Sequence, residues 1–173
     1  MSLKEKLTKA IDSYQDFPEK GILFRDVLPV LQDIELFESL TKEMIKLNSV
    51  SDSEALIGVD ARGFIFGTAI SLLSKKPLVL ARKPGKLPGD IISNSYKLEY
   101  GSNTLCLQKK AIQNFNKFCI VDDLLATGGT ASSVEKMLLE NNKKITGLAV
   151  VVELLFLKGR EKLNCTVDSI VTY

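Results

Sequence analysis

The sequence predicts an α/β fold, a mostly parallel, twisted sheet flanked by helices. Three observations carry that prediction. Apolar, β-branched segments alternate along the chain with segments whose apolar residues recur every three or four positions, the pattern of strands joined through helices. Two of the apolar segments, around Ile120 and Val121 and over residues 146–154, are almost free of polar residues, as strands buried on both faces are. Asp60, Arg82, Asp122 and Glu153 each fall where such a segment ends. Ligands of open α/β sheets bind outside the carboxyl ends of the strands, so the loops that follow are expected to share one cleft.

A length of 173 residues suggests a single domain spanning residues 1–173, large enough to bury about 70% of its unfolded surface. Lys and Arg total 23 against 21 Asp and Glu, a net charge of +2. That balance is wrong for a protein that holds nucleic acid by bulk charge, so no nucleic-acid partner is expected. The three cysteines, Cys106, Cys119 and Cys165, have no metal-like spacing, and their odd number argues against a disulfide framework. They fit a reducing, cytoplasmic location. The charged start lacks the apolar core of a signal peptide, and no apolar run is long enough for a membrane helix. The chain contains no histidine, so any proton transfer falls to Glu, Asp, Lys or Tyr.

The elements follow in order. Residues 2–14 read as an amphipathic helix, with Ser2 and Glu5 as a capping box and Leu3, Leu7, Ile11 and Tyr14 along one face. Residues 17–29 are punctuated by Pro18 and Gly21 around an apolar run, Ile22 to Phe24. Residues 33–47 read as a second helix, with Phe37, Leu40, Met44 and Leu47 inward. A short strand over residues 55–60 leads into Asp-Ala-Arg-Gly-Phe and a helix through Leu73. An Arg in so tight a turn either caps the surface or faces an anion, combining its forked donors with helix-end N–H groups. Residues 77–83 form the next strand. It runs into a loop rich in cations, Gly and Pro, residues 82–90, where Arg82, Lys83 and Lys86 can join Arg62 on one polyanion. Residues 90–108 read as an extended strand-pair excursion, and residues 84–101 as a lid over the cleft. Residues 146–154 form a central strand, and residues 167–172 close one edge of the sheet.

The densest signal lies at residues 119–132, Cys-Ile-Val-Asp-Asp-Leu-Leu-Ala-Thr-Gly-Gly-Thr-Ala-Ser. A strand ends in Asp122 and Asp123. A turn with Gly128 and Gly129 follows, then Thr130, then a helix with Val134, Met137, Leu138 and Leu139 at helical spacing. Backbone N–H groups from Ala126, Thr127, Gly128, Gly129 and Thr130 can converge on a phosphate at the helix N-terminus. Carboxylates beside a phosphate need another role. They can accept hydrogen bonds from ribose hydroxyls, or lie near a metal or a developing cation. No Walker loop or dinucleotide fingerprint is present.

This stretch resembles the phosphoribosyl-diphosphate (PRPP) motif of the type I phosphoribosyltransferases. Phe-Pro-Glu-Lys-Gly-Ile-Leu-Phe-Arg-Asp at residues 17–26 and Tyr-Lys-Leu-Glu-Tyr-Gly at residues 96–101 are similar to two signatures of the adenine phosphoribosyltransferases. The resemblance implies the fold of that family, with an N-terminal helix and hood over residues 1–30 and a flexible lid. It implies a Mg²⁺-dependent transfer of the phosphoribosyl group of PRPP to adenine, giving AMP and pyrophosphate through an oxocarbenium-like ribose. Asp122 and Asp123 would meet the ribose hydroxyls, and Ala126 to Thr130 the 5′-phosphate. Asp60, Ala61, Arg62, Gly63, Arg82, Lys83, Lys86 and Tyr100 would surround the pyrophosphate. Phe24, Arg25 and Leu154 would hold adenine, where Glu153 and Leu154 replace a lysine that 6-oxopurine enzymes use. Glu99, Arg62 and Lys83 would be catalytic, Glu99 exchanging a proton with the purine. Mg²⁺ would be held mainly by PRPP and by no direct protein side chain. The family also implies a homodimer, with Arg82 reaching towards the neighbouring site. A cis peptide is expected between Asp60 and Ala61.

Overall fold

The structure, a computed structural model, describes residues 1–97 and 102–173. Helix α1 (Leu3–Ala10) opens the chain, and Ser2 and Glu5 form the expected reciprocal cap. The helix stops short of Tyr14, contrary to expectation. Ile11 turns extended, and β1 (Asp12–Gln15) pairs antiparallel with β2 (Leu23–Asp26), Tyr14 opposite Phe24. Asp12 and Ser13 compete poorly in a helix interior, and cross-strand pairing outweighs the weak periodicity that had placed Tyr14 on the helix. Tyr14 is 50% exposed.

Helix α2 (Ile34–Met44) is capped by the Asp33 carboxylate, which accepts the Leu36 N–H. The short α3 (Asn48–Ser51) leads to β3 (Ala55–Val59), α4 (Gly63–Ser74) and β4 (Leu78–Ala81). The hairpin strands β5 (Ile91–Lys97) and β6 (Ser102–Gln108) pair antiparallel, as the alternation predicts. Arg82 bridges to Cys106, tying this hairpin to the end of β4. Then come α5 (Lys109–Ile112), β7 (Lys117–Leu125), α6 (Gly129–Glu140), β8 (Lys144–Glu153) and β9 (Val167–Thr172).

The central sheet has the order β4-β3-β7-β8-β9, and every pairing in it is parallel. Two apolar layers sandwich it. One gathers α1, α2 and α4 through Leu7, Leu40, Met44 and Phe66. The other gathers α6 and β6 through Val134, Met137, Leu138 and Leu107. Leu139, counted with Val134, Met137 and Leu138 in the helical spacing, is 49% exposed. It falls beside Leu138, one residue off the stripe that a period of 3.6 allows.

Asp122 and Asp123 do not follow the strand; they lie within it. Strand β7 continues to Leu125, with Asp122 opposite Val150 and Leu125 opposite Glu153. Both carboxylates are therefore set in the ladder, which holds them more firmly than a loop would.

Candidate active site

The carboxyl ends of β3, β4 and β7 open into a cleft of about 520 Å³. Asp60, Ala61 and Arg62 line it after β3, and Lys83 after β4. Asp122, Asp123 and Leu124 line it from β7, and Ala126 and Thr130 from the loop beyond. A small hollow of about 90 Å³ continues past Thr127, Gly128 and Gly129 at the head of α6. The sequence places these motifs in one cleft, and the fold does bring them together.

The glycines explain the local path. Gly128 caps α6 at φ 80°, a left-handed conformation that side chains resist, and α6 begins at Gly129. The N–H groups of this loop and first turn lie where an anion meets the positive end of the helix dipole. Gly63 has a packing role that the sequence did not show. A Cβ there would lie 2.7 Å from the Val121 carbonyl oxygen and 3.0 Å from Asp122 Oδ1. The missing side chain lets the turn after β3 press against β7, which brings Arg62 up to the carboxylate pair. The Asp60–Ala61 peptide is cis.

Arg62 Nε lies 2.7 Å from Asp123 Oδ2, while Asp123 is 4% exposed. The Asp122 carboxyl is pushed well above the usual carboxylate range, first by burial and then by the negative charge of Asp123 beside it. Its Oδ1 accepts the Asp123 N–H at 2.8 Å. A carboxylate pair this crowded favours a neighbour that donates hydrogen bonds or carries positive charge.

Other expected site residues take different positions. Arg82 donates from Nε to Asp60 Oδ2 at 3.3 Å, and the Lys83 N–H points at the same oxygen from 3.4 Å. Asp60 thus holds the β4 loop, and Arg82 Nε is engaged within its own chain. Lys86 is exposed and does not line the cleft. Phe24 stands 5.5 Å from the Arg62 guanidinium, so the hood hairpin does reach the turn after β3. The Arg25 guanidinium stacks 3.9 Å from the Tyr173 ring and donates to Ser13 Oγ. Leu154 is buried at the end of β8. Glu99 and Tyr100 lie outside the described residues, as does the end of the expected lid.

Sequence reasoning gave no role to Tyr96, Asn103, Thr104 or Leu105, yet all four line the cleft from the β5–β6 hairpin. The Tyr96 hydroxyl is 3.0 Å from Thr130 Oγ1. Its place in the Tyr-x-Leu-Glu-Tyr-Gly signature was the available signal. A larger hollow of about 650 Å³ runs past Lys109, Lys110 and Lys143. It meets only the end of the 82–90 loop, at Pro88 to Asp90, and none of the named site residues, and Lys143 Nζ is already occupied by the Phe115 carbonyl oxygen at 2.8 Å.

Among the described residues no three Cys, Asp or Glu side chains cluster to cage a metal. The carboxylates that line the cleft, Asp60, Asp122 and Asp123, offer hard oxygens. Such a set suits Mg²⁺ held through one or two carboxylates and the phosphates of a substrate. No helix among the described residues is long and apolar enough to cross a membrane.

A five-stranded parallel sheet flanked by helices, with these loops at the carboxyl ends of its strands, is the fold of the type I phosphoribosyltransferases. No family model matches the chain. Individual relatives do. It is 52% identical to the adenine phosphoribosyltransferase of Prochlorococcus marinus strain MIT 9515 over 171 residues, covering 99% of this chain and 100% of that one. It is 44% identical to the adenine phosphoribosyltransferase of Halothermothrix orenii, covering 92% and 94%. Among solved structures, the Saccharomyces cerevisiae enzyme complexed with adenine and an imino-altritol bisphosphate superposes with a TM-score of 0.90. It is 35% identical, over 97% of this chain and 98% of that one. The Thermoanaerobacter pseudethanolicus enzyme gives 0.91 at 36% identity, covering 99% and 100%. This chain belongs to the adenine phosphoribosyltransferase family.

Proposed function

We propose that this chain transfers the phosphoribosyl group of PRPP to adenine, releasing AMP and pyrophosphate. One observation carries the reading: the Asp122–Asp123 pair, the loop at the head of α6 and the Arg62 turn line one cleft. This reading assigns them to the ribose, the 5′-phosphate and the pyrophosphate of one substrate. The Saccharomyces cerevisiae relative binds adenine, which supports adenine as the acceptor.

In this reading the loop from Ala126 to Thr130 grips the 5′-phosphate. Asp122 and Asp123 accept the ribose hydroxyls and face the positive charge that develops at C1. The bond from C1 to the pyrophosphate oxygen breaks early, and its electron pair leaves with the pyrophosphate. Arg62 and Lys83, with the N–H groups after Asp60, balance that charge. A purine ring nitrogen then bonds to C1 through its lone pair, and the ring's one imidazole proton leaves from the opposite nitrogen. Glu99 exchanges a proton at the opposite ring nitrogen, and Tyr100 stands by the leaving group. Bound Mg²⁺ supplies neutralisation of the diphosphate. Phe24, Arg25 and Leu154 frame the base. The work is positioning and charge stabilisation, with no protein nucleophile, which suits a chain without histidine.

The β5–β6 hairpin acts as the cover, since Tyr96 and Asn103 face the cleft, and residues 84–101 include its first strand. The enzyme works in the cytoplasm as a homodimer, in keeping with three unpaired cysteines and with Leu72 and Leu73 exposed on α4. The test is a panel of adenine, hypoxanthine, guanine and orotate with Mg²⁺ and PRPP, read as pyrophosphate release. Release with adenine alone is expected. Release with a different base, or with none of them, overturns the reading.

A further inference from the structure

The segment beyond Leu154, residues 155–165, lies outside the motifs that make up the proposed site, yet it is tied down at both ends. At its start Glu153, 1% exposed, takes two hydrogen bonds from Arg160, Nε to Oε1 at 2.6 Å and Nη2 to Oε2 at 2.5 Å, and a third from Ser169 Oγ at 2.9 Å. At its end the buried Glu135 carboxylate on α6 accepts the N–H groups of Asn164 at 3.0 Å and Cys165 at 2.8 Å. The Leu154 N–H donates to the Leu125 carbonyl oxygen at 3.0 Å.

Between these anchors Gly159 is pressed against the loop at the head of α6. A Cβ on Gly159 would overlap the Ala126 carbonyl oxygen and lie 3.1 Å from the Gly128 nitrogen. A Cβ on Gly128 would in turn overlap the Gly159 carbonyl oxygen. The two backbones are in direct contact, and neither position has space for a side chain. Arg160 is the next residue along, so its locked guanidinium fixes where the Gly159 peptide sits.

We propose that Arg160, held by the buried Glu153, is a positioning residue for the 5′-phosphate loop, acting through the Gly159 backbone. The pair forms a backstop that keeps Ala126 to Gly128 in the shape that directs their N–H groups at an anion. This rests on the functional reading above, because it assigns that loop to the 5′-phosphate. A bare structural role, neutralising the buried Glu153 charge, would be met by any cation at position 160. A positioning role needs the planar fork, which Lys lacks.

The test uses the full chain with two separate probes. Ribose 5-phosphate reports on the phosphate loop, and inorganic pyrophosphate on the turn after β3. Each is measured as an inhibitor of AMP formation in wild type and Arg160→Lys, beside the KM for adenine and the melting temperature. A small misplacement of binding groups costs up to about a hundredfold, so ribose 5-phosphate and PRPP are expected to weaken about ten- to a hundredfold. Pyrophosphate inhibition and the KM for adenine should stay within about twofold. Ser169→Ala, which removes one hydrogen bond to Glu153 and leaves both loop backbones intact, should move the same way by a smaller factor. It decides the matter if Arg160→Lys fails to fold. Unchanged ribose 5-phosphate inhibition in the folded variants, or an equal loss for pyrophosphate, overturns the inference. Wild type insensitive to both probes overturns the functional reading and this inference together.

Discussion

Two glycines four residues apart on α4 should respond differently to gaining a methyl group. At Gly63 the new Cβ would meet the Val121 carbonyl oxygen at 2.7 Å, Asp122 Oδ1 at 3.0 Å and Asp122 Cα at 3.2 Å. Val121 is fixed in the middle of β7, opposite Gly58 on one side and Ala149 on the other, so the obstacle cannot rotate away. The turn must move instead. Overpacking of this kind costs about 1–3 kcal/mol, which in a chain of this length lowers Tm by roughly 2–12 °C. At Gly67 the nearest atom is the tip of a side chain, Leu78 Cδ1 at 3.1 Å. Its small displacement is offset by the gain of about 1 kcal/mol that Ala has over Gly inside a helix. Gly67→Ala should therefore leave Tm nearly unchanged. Gly63→Ala should also move Arg62 away from the carboxylates and lower kcat/KM for PRPP by more than its stability loss explains. Thermal unfolding and initial rates at saturating adenine measure both. Equal melting temperatures for the two variants would refute the packing argument.

Arg62→Lys keeps the charge and loses the fork. Loss of one bidentate contact to a charged group is worth about 1.5–3 kcal/mol, so kcat/KM for PRPP should fall about ten- to a hundredfold. Near-native kinetics would show that Arg62 serves Asp123 alone. Asp122 tests the pH dependence. Its folded carboxyl holds a proton more tightly than the unfolded chain does, so its ionised form costs stability above that raised value. The cost fades as pH falls through it. Asp122→Asn should melt higher than wild type at neutral pH, and the difference should shrink towards about pH 4. Paired melts across pH check this, and a variant less stable at neutral pH contradicts it. Burial pushes the Cys119 and Cys165 thiols up to about 12 and raises Cys106 as well. A thiol-reactive dye at about pH 8 should label the folded chain slowly and all three cysteines once it is unfolded. Fast labelling of the folded chain would show that one thiol is more open than the fold allows.

Much of this architecture could be read from the chain because its strongest signals are local. The apolar runs of β7 and β8 announce central strands, and Gly128 with Thr130 marks where α6 begins. Errors arose where distant residues decide. Tyr14 leaves the helix because Phe24 pairs with it across a hairpin. No local signal shows that Asp60, 22 residues earlier, accepts the Arg82 Nε–H. Gly63 has its importance through Val121, which no spacing rule connects to it. The contact between Gly128 and Gly159 joins two loops that the sequence presents as unrelated. Tyr96 was visible as part of a signature, but its approach to Thr130 depends on how the β5–β6 hairpin packs on α6.

The most direct measurement follows AMP and pyrophosphate together from adenine, PRPP and Mg²⁺, in wild type and in an Asp122→Asn, Asp123→Asn double variant shown to be folded. Wild type should form both products in equal amounts. The double variant should form them far more slowly, with a raised KM for PRPP and little change in the KM for adenine. Absence of AMP with wild type would contradict the assignment of the reaction, and equal turnover by the double variant would contradict the assignment of the site.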